Sequence, residues 1–63
     1  MARKRIDIAV TAPGMLSSDY YAVARDQSGR EIAYAYGRDQ HDATAKCVQK
    51  VRAIYGGDAE ILY

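Results

Sequence analysis

One stretch, Gly37 to Gly57 (GRDQHDATAKCVQKVRAIYGG), carries the only long helical pattern in the chain, and whatever else forms must cover its apolar stripe. Asp39 is placed to accept hydrogen bonds from the unpaired amides of the first turn, and Asp42 sets a second carboxylate at the positive end of the helix dipole. Gly56 and Gly57 supply the left-handed residue that stops the helix. Between these ends Ala43, Cys47, Val48, Val51, Ile54 and Tyr55 fall on one side, and Thr44, Lys46, Gln49, Lys50 and Arg52 on the other. An amphipathic helix of this kind lies on a layer of something else.

That layer is built from strands. Strict alternation over Ile6–Thr11 puts Ile6, Ile8 and Val10 on one face, and Pro13-Gly14 breaks the run. Met15 to Asp19 then reads as a loop, with Met15 and Leu16 folding back over the core rim. Tyr20–Arg25 and Arg30–Tyr36 alternate again around Asp26-Gln27-Ser28-Gly29, a hairpin turn by composition. Pairing Arg25 with Arg30 sets Val23 opposite Ile32 and Tyr21 opposite Tyr34, with Tyr36 further along, and this side is expected to take the helix. The opposite side then shows Tyr20, Ala22, Ala24, Glu31, Ala33 and Ala35, a small-residue floor that stands as the candidate partner-binding surface. The plainer reading of such a floor is one wet face of an antiparallel sheet. After the helix, Asp58–Tyr63 has the character of a fourth strand, which a right-handed crossover sets parallel to the first. The expected fold is α+β, in the order β-β-β-α-β. A three-stranded antiparallel meander carries one helix on one face and a fourth strand parallel to the first, in a single domain 1–63 with a basic tail over 1–5.

Composition narrows the chemistry. A chain of 63 residues is close to the lower limit for folding without a metal or disulfide. One cysteine excludes an internal bridge, and one histidine excludes a Cys/His zinc cluster, so no metal or cofactor is expected. Cys47, on the apolar stripe, reads as a packing residue. Nine basic against eight acidic side chains give a net charge of +1, without the broad positive bias of a protein that wraps nucleic acid. No apolar run approaches the ~20 residues that span a bilayer. The opening Met-Ala-Arg-Lys-Arg leads into no signal core either, so a soluble cytoplasmic protein is expected. With neither Trp nor Phe, six tyrosines carry the aromatic packing, and their hydroxyls want water or a partner.

The segment YYAVARDQSGREIAYAY resembles the second and third strands of the ribonuclease H-like fold, and HDATAKCVQKVRAIYGGDAEILY is similar to its helix and following strand. Comparable strand-strand-strand-helix phrasing occurs in arm-type DNA-binding domains of phage integrases. The catalytic form of the ribonuclease H-like fold holds divalent metal with a carboxylate cluster, and this chain departs from it at each position. Thr11 and Ala12 stand where the first strand's acid belongs, Thr44 where the helix glutamate falls, and the last strand has no acid at its end, where Tyr63 stands. Asp7 and Asp42 lie off those places. A shortened, non-catalytic half of the fold is what HicB-type antitoxin domains look like. Their GDT-x-x-EA phrase is loosely matched by Gly37-Arg38-Asp39-Gln40-His41-Asp42-Ala43. The resemblance implies a module that binds and neutralises a small partner protein.

His41 opens the helix without a nucleophile or acid that the sequence places beside it, and the glycines are accounted for by turns and caps rather than a phosphate loop. The expected function is therefore non-enzymatic: a binding module that covers a partner protein, such as a toxin or a nucleic-acid enzyme, in the manner of an antitoxin or a phage-encoded inhibitor. The alternative is nucleic-acid binding by Arg3, Lys4, Arg5, Arg25 and Arg30, with Tyr20 stacking on a base, although Asp19, Asp26 and Glu31 dilute that field. Self-association as a homodimer through the sheet is a third outcome.

Overall fold

The computed structural model describes residues 4–14 and 18–62, so the expectations for Arg3, Met15, Leu16 and Tyr63 lie outside the described residues. Strands β1 (Lys4–Thr11), β2 (Tyr20–Arg25) and β3 (Glu31–Gly37) are followed by helix α1 (Gln40–Tyr55), a single 3-10 turn (Gly56–Asp58) and strand β4 (Ala59–Leu62). The sheet runs β3-β2-β1-β4, with β1 antiparallel to β2, β2 antiparallel to β3, and β4 parallel to β1. This is the expected α+β layout. No helix among the described residues is long and apolar enough to cross a membrane.

Helix α1 starts where its capping residues demand. Asp39 is extended and its carboxylate accepts the Asp42 amide at 2.7 Å, while Asp42 in turn accepts the Arg38 amide at 3.1 Å and pairs with Lys46 at 3.1 Å. At the other end Gly56 takes φ 65° and its amide donates to the Arg52 carbonyl. The hairpin is tied by Asp26, whose Oδ1 accepts from the Ser28 amide and hydroxyl and from the Arg30 amide. These bonds hold both carboxyls below the ordinary value of 3.8, through Ser28 and Arg30 at Asp26, and through Arg38 and Lys46 at Asp42. A lowered folded-state pKa contributes stability that is present above the unfolded value and lost as pH falls through the folded one. Melting temperatures are therefore expected to drop as pH falls below about 4, and the Asp26→Asn/Asp42→Asn double variant to show less of that acid dependence in a circular-dichroism titration.

The core lies between α1 and one face of the sheet. Ile6 and Ile8 of β1, Ala22 and Ala24 of β2, Ala33 and Ala35 of β3, and Ala43, Cys47 and Val51 of α1 are buried together. This corrects the expected sidedness, because the alanines form the floor under the helix and the tyrosines of β2 and β3 face outward. The reason is chemical and steric. A helix packed on Tyr21, Tyr34 and Tyr36 would bury three hydroxyls that want partners, whereas alanines opposite Ile8 and Val10 let it approach closely. The register also differs: Tyr21 lies opposite Tyr36 and Val23 opposite Tyr34. The Asp26 amide closes onto the Arg30 carbonyl, leaving a three-residue loop with Gly29 at φ 88°. Ile32 becomes an extra residue between Glu31, opposite Arg25, and Ala33, opposite Ala24. Ile54, expected on the buried stripe, is 56% exposed, since α1 sits chiefly over β3 and β2 and this flank has no strand beneath it among the described residues.

Candidate functional site: the tyrosine face of the sheet

Alternation along β2 and β3 brings Tyr21, Tyr34 and Tyr36 together on the face away from α1. Their ring centroids are 5.0 Å (Tyr21–Tyr36), 5.9 Å (Tyr21–Tyr34) and 6.1 Å (Tyr34–Tyr36) apart, in tilted or edge-on geometries of the kind aromatic pairs prefer. Tyr34 and Tyr36 remain 50% and 52% exposed. Val23, between Tyr34 and Ala9 in the ladder, is only 5% exposed although it lies outside the core under α1. Val23 and the tyrosines beside it therefore form an apolar patch, closed at Val23 and open at Tyr34 and Tyr36, on an otherwise wet face. Burial among these rings pushes the Tyr21 phenol above its ordinary value, with Glu31, Tyr36 and Tyr34 adding to the shift and Arg25 opposing it. Tyr21 is thus a neutral hydroxyl, able to donate or accept.

Beyond the tyrosines the same face carries charges of alternating sign. Arg25 lies opposite Asp7 on one side and Glu31 on the other, and Arg5 lies beside Glu60 on β4. Leu62, 40% exposed, completes the row at Asp7.

The residues expected to bind a partner are dispersed by this arrangement. Ala22, Ala24, Ala33 and Ala35 are under the helix, Tyr20 packs against the core from the helix side, and of the set only Glu31 is exposed on the outer face. The basic residues are brought together only in part. Lys4 and Arg5 line a shallow cleft with Asp26, Gln27 and Ser28 of the hairpin, and the Lys4 ammonium also sits 5.7 Å from the Tyr55 ring centroid. Arg25 and Arg30 flank that turn, but Tyr20 is at the far end of β2 on the other face, so the expected pairing of a stacking ring with this cluster does not form. Cys47 is buried and its thiol is pushed up by that burial, as a packing residue's would be. His41 is exposed in the first turn of α1. Among the described residues no three His, Cys, Asp or Glu side chains are grouped to hold a metal ion.

Two features were missed in the sequence: the tyrosine cluster as an outward surface, and Lys50. The Lys50 ammonium donates to the Tyr34 carbonyl at 2.7 Å and stands 5.2 Å from the Tyr34 ring centroid, reaching from the helix across the rim of the sheet. Compared with known proteins, the chain matches no family model, no curated protein and no solved structure.

Proposed function

We propose that this chain is a small non-catalytic binding module that covers a partner protein with the tyrosine face of its sheet. The observation that carries the reading is the contact cluster of Tyr21, Tyr34 and Tyr36 left open to solvent over a buried Val23. Tyrosines supply large, rigid contact area at low entropic cost and are enriched among the residues that dominate protein interfaces. The charges around them alternate in sign, which suits the mixed rim of a protein surface better than a phosphate chain. Kinship with the non-catalytic ribonuclease H-like half fold of HicB-type antitoxins belongs to the same proposal, and with it the neutralising of a toxin or a nucleic-acid enzyme.

The test is stoichiometric capture from an extract of the native host, with wild-type protein and Tyr21→Ser/Tyr36→Ser side by side. The wild type is expected to retain one partner, and the variant to bind it about 30-fold more weakly, the equivalent of losing ~2 kcal/mol at an interface centre. Equal retention by a folded variant would remove the tyrosine face from the reading. The meeting of Lys4 and Arg5 with the hairpin favours nucleic-acid binding as the second reading. That reading requires affinity for labelled single-stranded or duplex RNA or DNA that falls steeply with salt.

A further inference from the structure

The helix overhangs the sheet. Among the described residues β3 has a neighbour on one side only, and α1 runs above its free edge with Lys46, Lys50 and Ile54 on the overhanging flank. A strand's outward carbonyls and amides recur at every second residue, so with the Tyr34 carbonyl turned outward, Tyr36 presents the next pair. Between this edge and the helix runs a cleft lined by Ala35, Tyr36, Lys46, Gln49, Lys50 and Ala53. The overhang is a roof over the position that one more strand would occupy.

From this geometry we infer that the β3 edge takes an extended, acidic segment of a partner protein as a fifth strand. The inference rests on the chain being a protein-binding module, and it names a second surface and its chemistry. Charge selects the occupant. The charged residues that line the cleft, Lys46 and Lys50, are both basic, Asp42 being engaged by Lys46 and the Arg38 amide, while Arg30 and Arg38 at the ends of β3 stand beside Asp26, Glu31 and Asp39. A second copy of the chain is disfavoured by the same residues, because β3 pairing with its own copy about Tyr34 would bring two Lys50 ammonium groups together. An acidic strand reverses that sign. Its backbone N–H replaces Lys50 as donor to the Tyr34 carbonyl, and the released ammonium turns to a carboxylate of the segment, so no hydrogen bond is lost in the exchange. Period two then puts its carboxylates on the roofed side, toward Lys46 and Lys50, and its apolar residues on the outer face beside Tyr34 and Tyr36.

The probe is a capped seven-residue peptide alternating Glu and Val, with a Lys/Val counterpart, titrated into isotope-labelled protein and followed by amide chemical shifts. The Glu/Val peptide is expected to move the amides of Tyr34, Tyr36 and Lys50. Reversing both exposed charges in Lys46→Glu/Lys50→Glu is expected to weaken that peptide about tenfold and to favour the Lys/Val one. Tyr21→Ser is expected to leave peptide binding unchanged, so loss of partner capture with peptide binding intact separates failure of the tyrosine face from failure of the edge. Three results would overturn the assignment: equal binding of the two peptides, shifts confined to the open face around Tyr21 and Val23, or a concentration-dependent dimer that moves the same edge amides without peptide.

Discussion

Val51→Asp is expected to abolish folding. Val51 is completely buried in the interface between α1 and the sheet, grouped with Ile6, Cys47 and the alanine floor. None of the side chains in that group carries a charge that could pair with a carboxylate. Placing an ionised group there without a partner costs several kcal/mol, comparable with the ~5 kcal/mol that a domain at the small end of the range has in total. Protonating the new aspartate relieves the charge but still buries an unsatisfied hydroxyl and carbonyl. The measurement is far-UV circular dichroism with urea titration at pH 7, in which the variant should show no cooperative transition. Gln49→Glu, a solvent-facing change on the same helix, should stay within about 0.5 kcal/mol of wild type. A cooperative Val51→Asp transition at the wild-type midpoint would mean that α1 turns a different side to the sheet.

The layout was legible because each element carries its own local signal. Alternation in Ile6–Thr11 and Tyr20–Arg25 marked β1 and β2, Asp39 and Gly56 marked the helix ends, and the return of a strand after one helix dictated a parallel β4. Alternation also grouped Tyr21, Val23, Tyr34 and Tyr36 correctly. What it could not supply was which of two groups meets the helix, because period two distinguishes faces without naming them. The expectation that the tyrosine side takes the helix was the part that failed. The useful signals were polar: β2 puts Arg25 on the tyrosine side and no charge on the alanine side, and three hydroxyls are costly to bury. With β1 supplying Ile6 and Ile8 and α1 supplying Val51, alanines were enough to complete the core. The register slipped because Asp26 gathers three donors and pulls Arg30 into the turn, which sequence pairing from Arg25 does not anticipate. Lys50 was read as solvated charge because nothing local tells a helix residue that a strand edge 16 positions earlier lies within reach.

Gly37→Ala is expected to be the most damaging conservative change in the chain. Gly37 ends β3 just before the helix, is itself buried, and lies against the first turn of α1. A methyl group there would sit 2.6 Å from the Ala43 Cα and 2.8 Å from the Asp42 carbonyl carbon, and closer still to the Ala43 nitrogen. All three are backbone atoms, so no side chain can rotate aside and the helix start itself must move. That start is where the Asp39 cap, the Asp42 bond to the Arg38 amide and the burial of Ala43 and Cys47 converge. A loss of about 3 kcal/mol follows, at the upper end for overpacking, and at this chain length it lowers the melting temperature by roughly 12–24 °C. Gly57→Ala, whose added methyl meets nothing within 4 Å, is the matched control and should melt within a few degrees of wild type. If Gly37→Ala melted alongside that control, strand and helix would not be in contact at this point. The close approach of α1 to β3, and with it the helix overhang above the free edge, would then have to be redrawn.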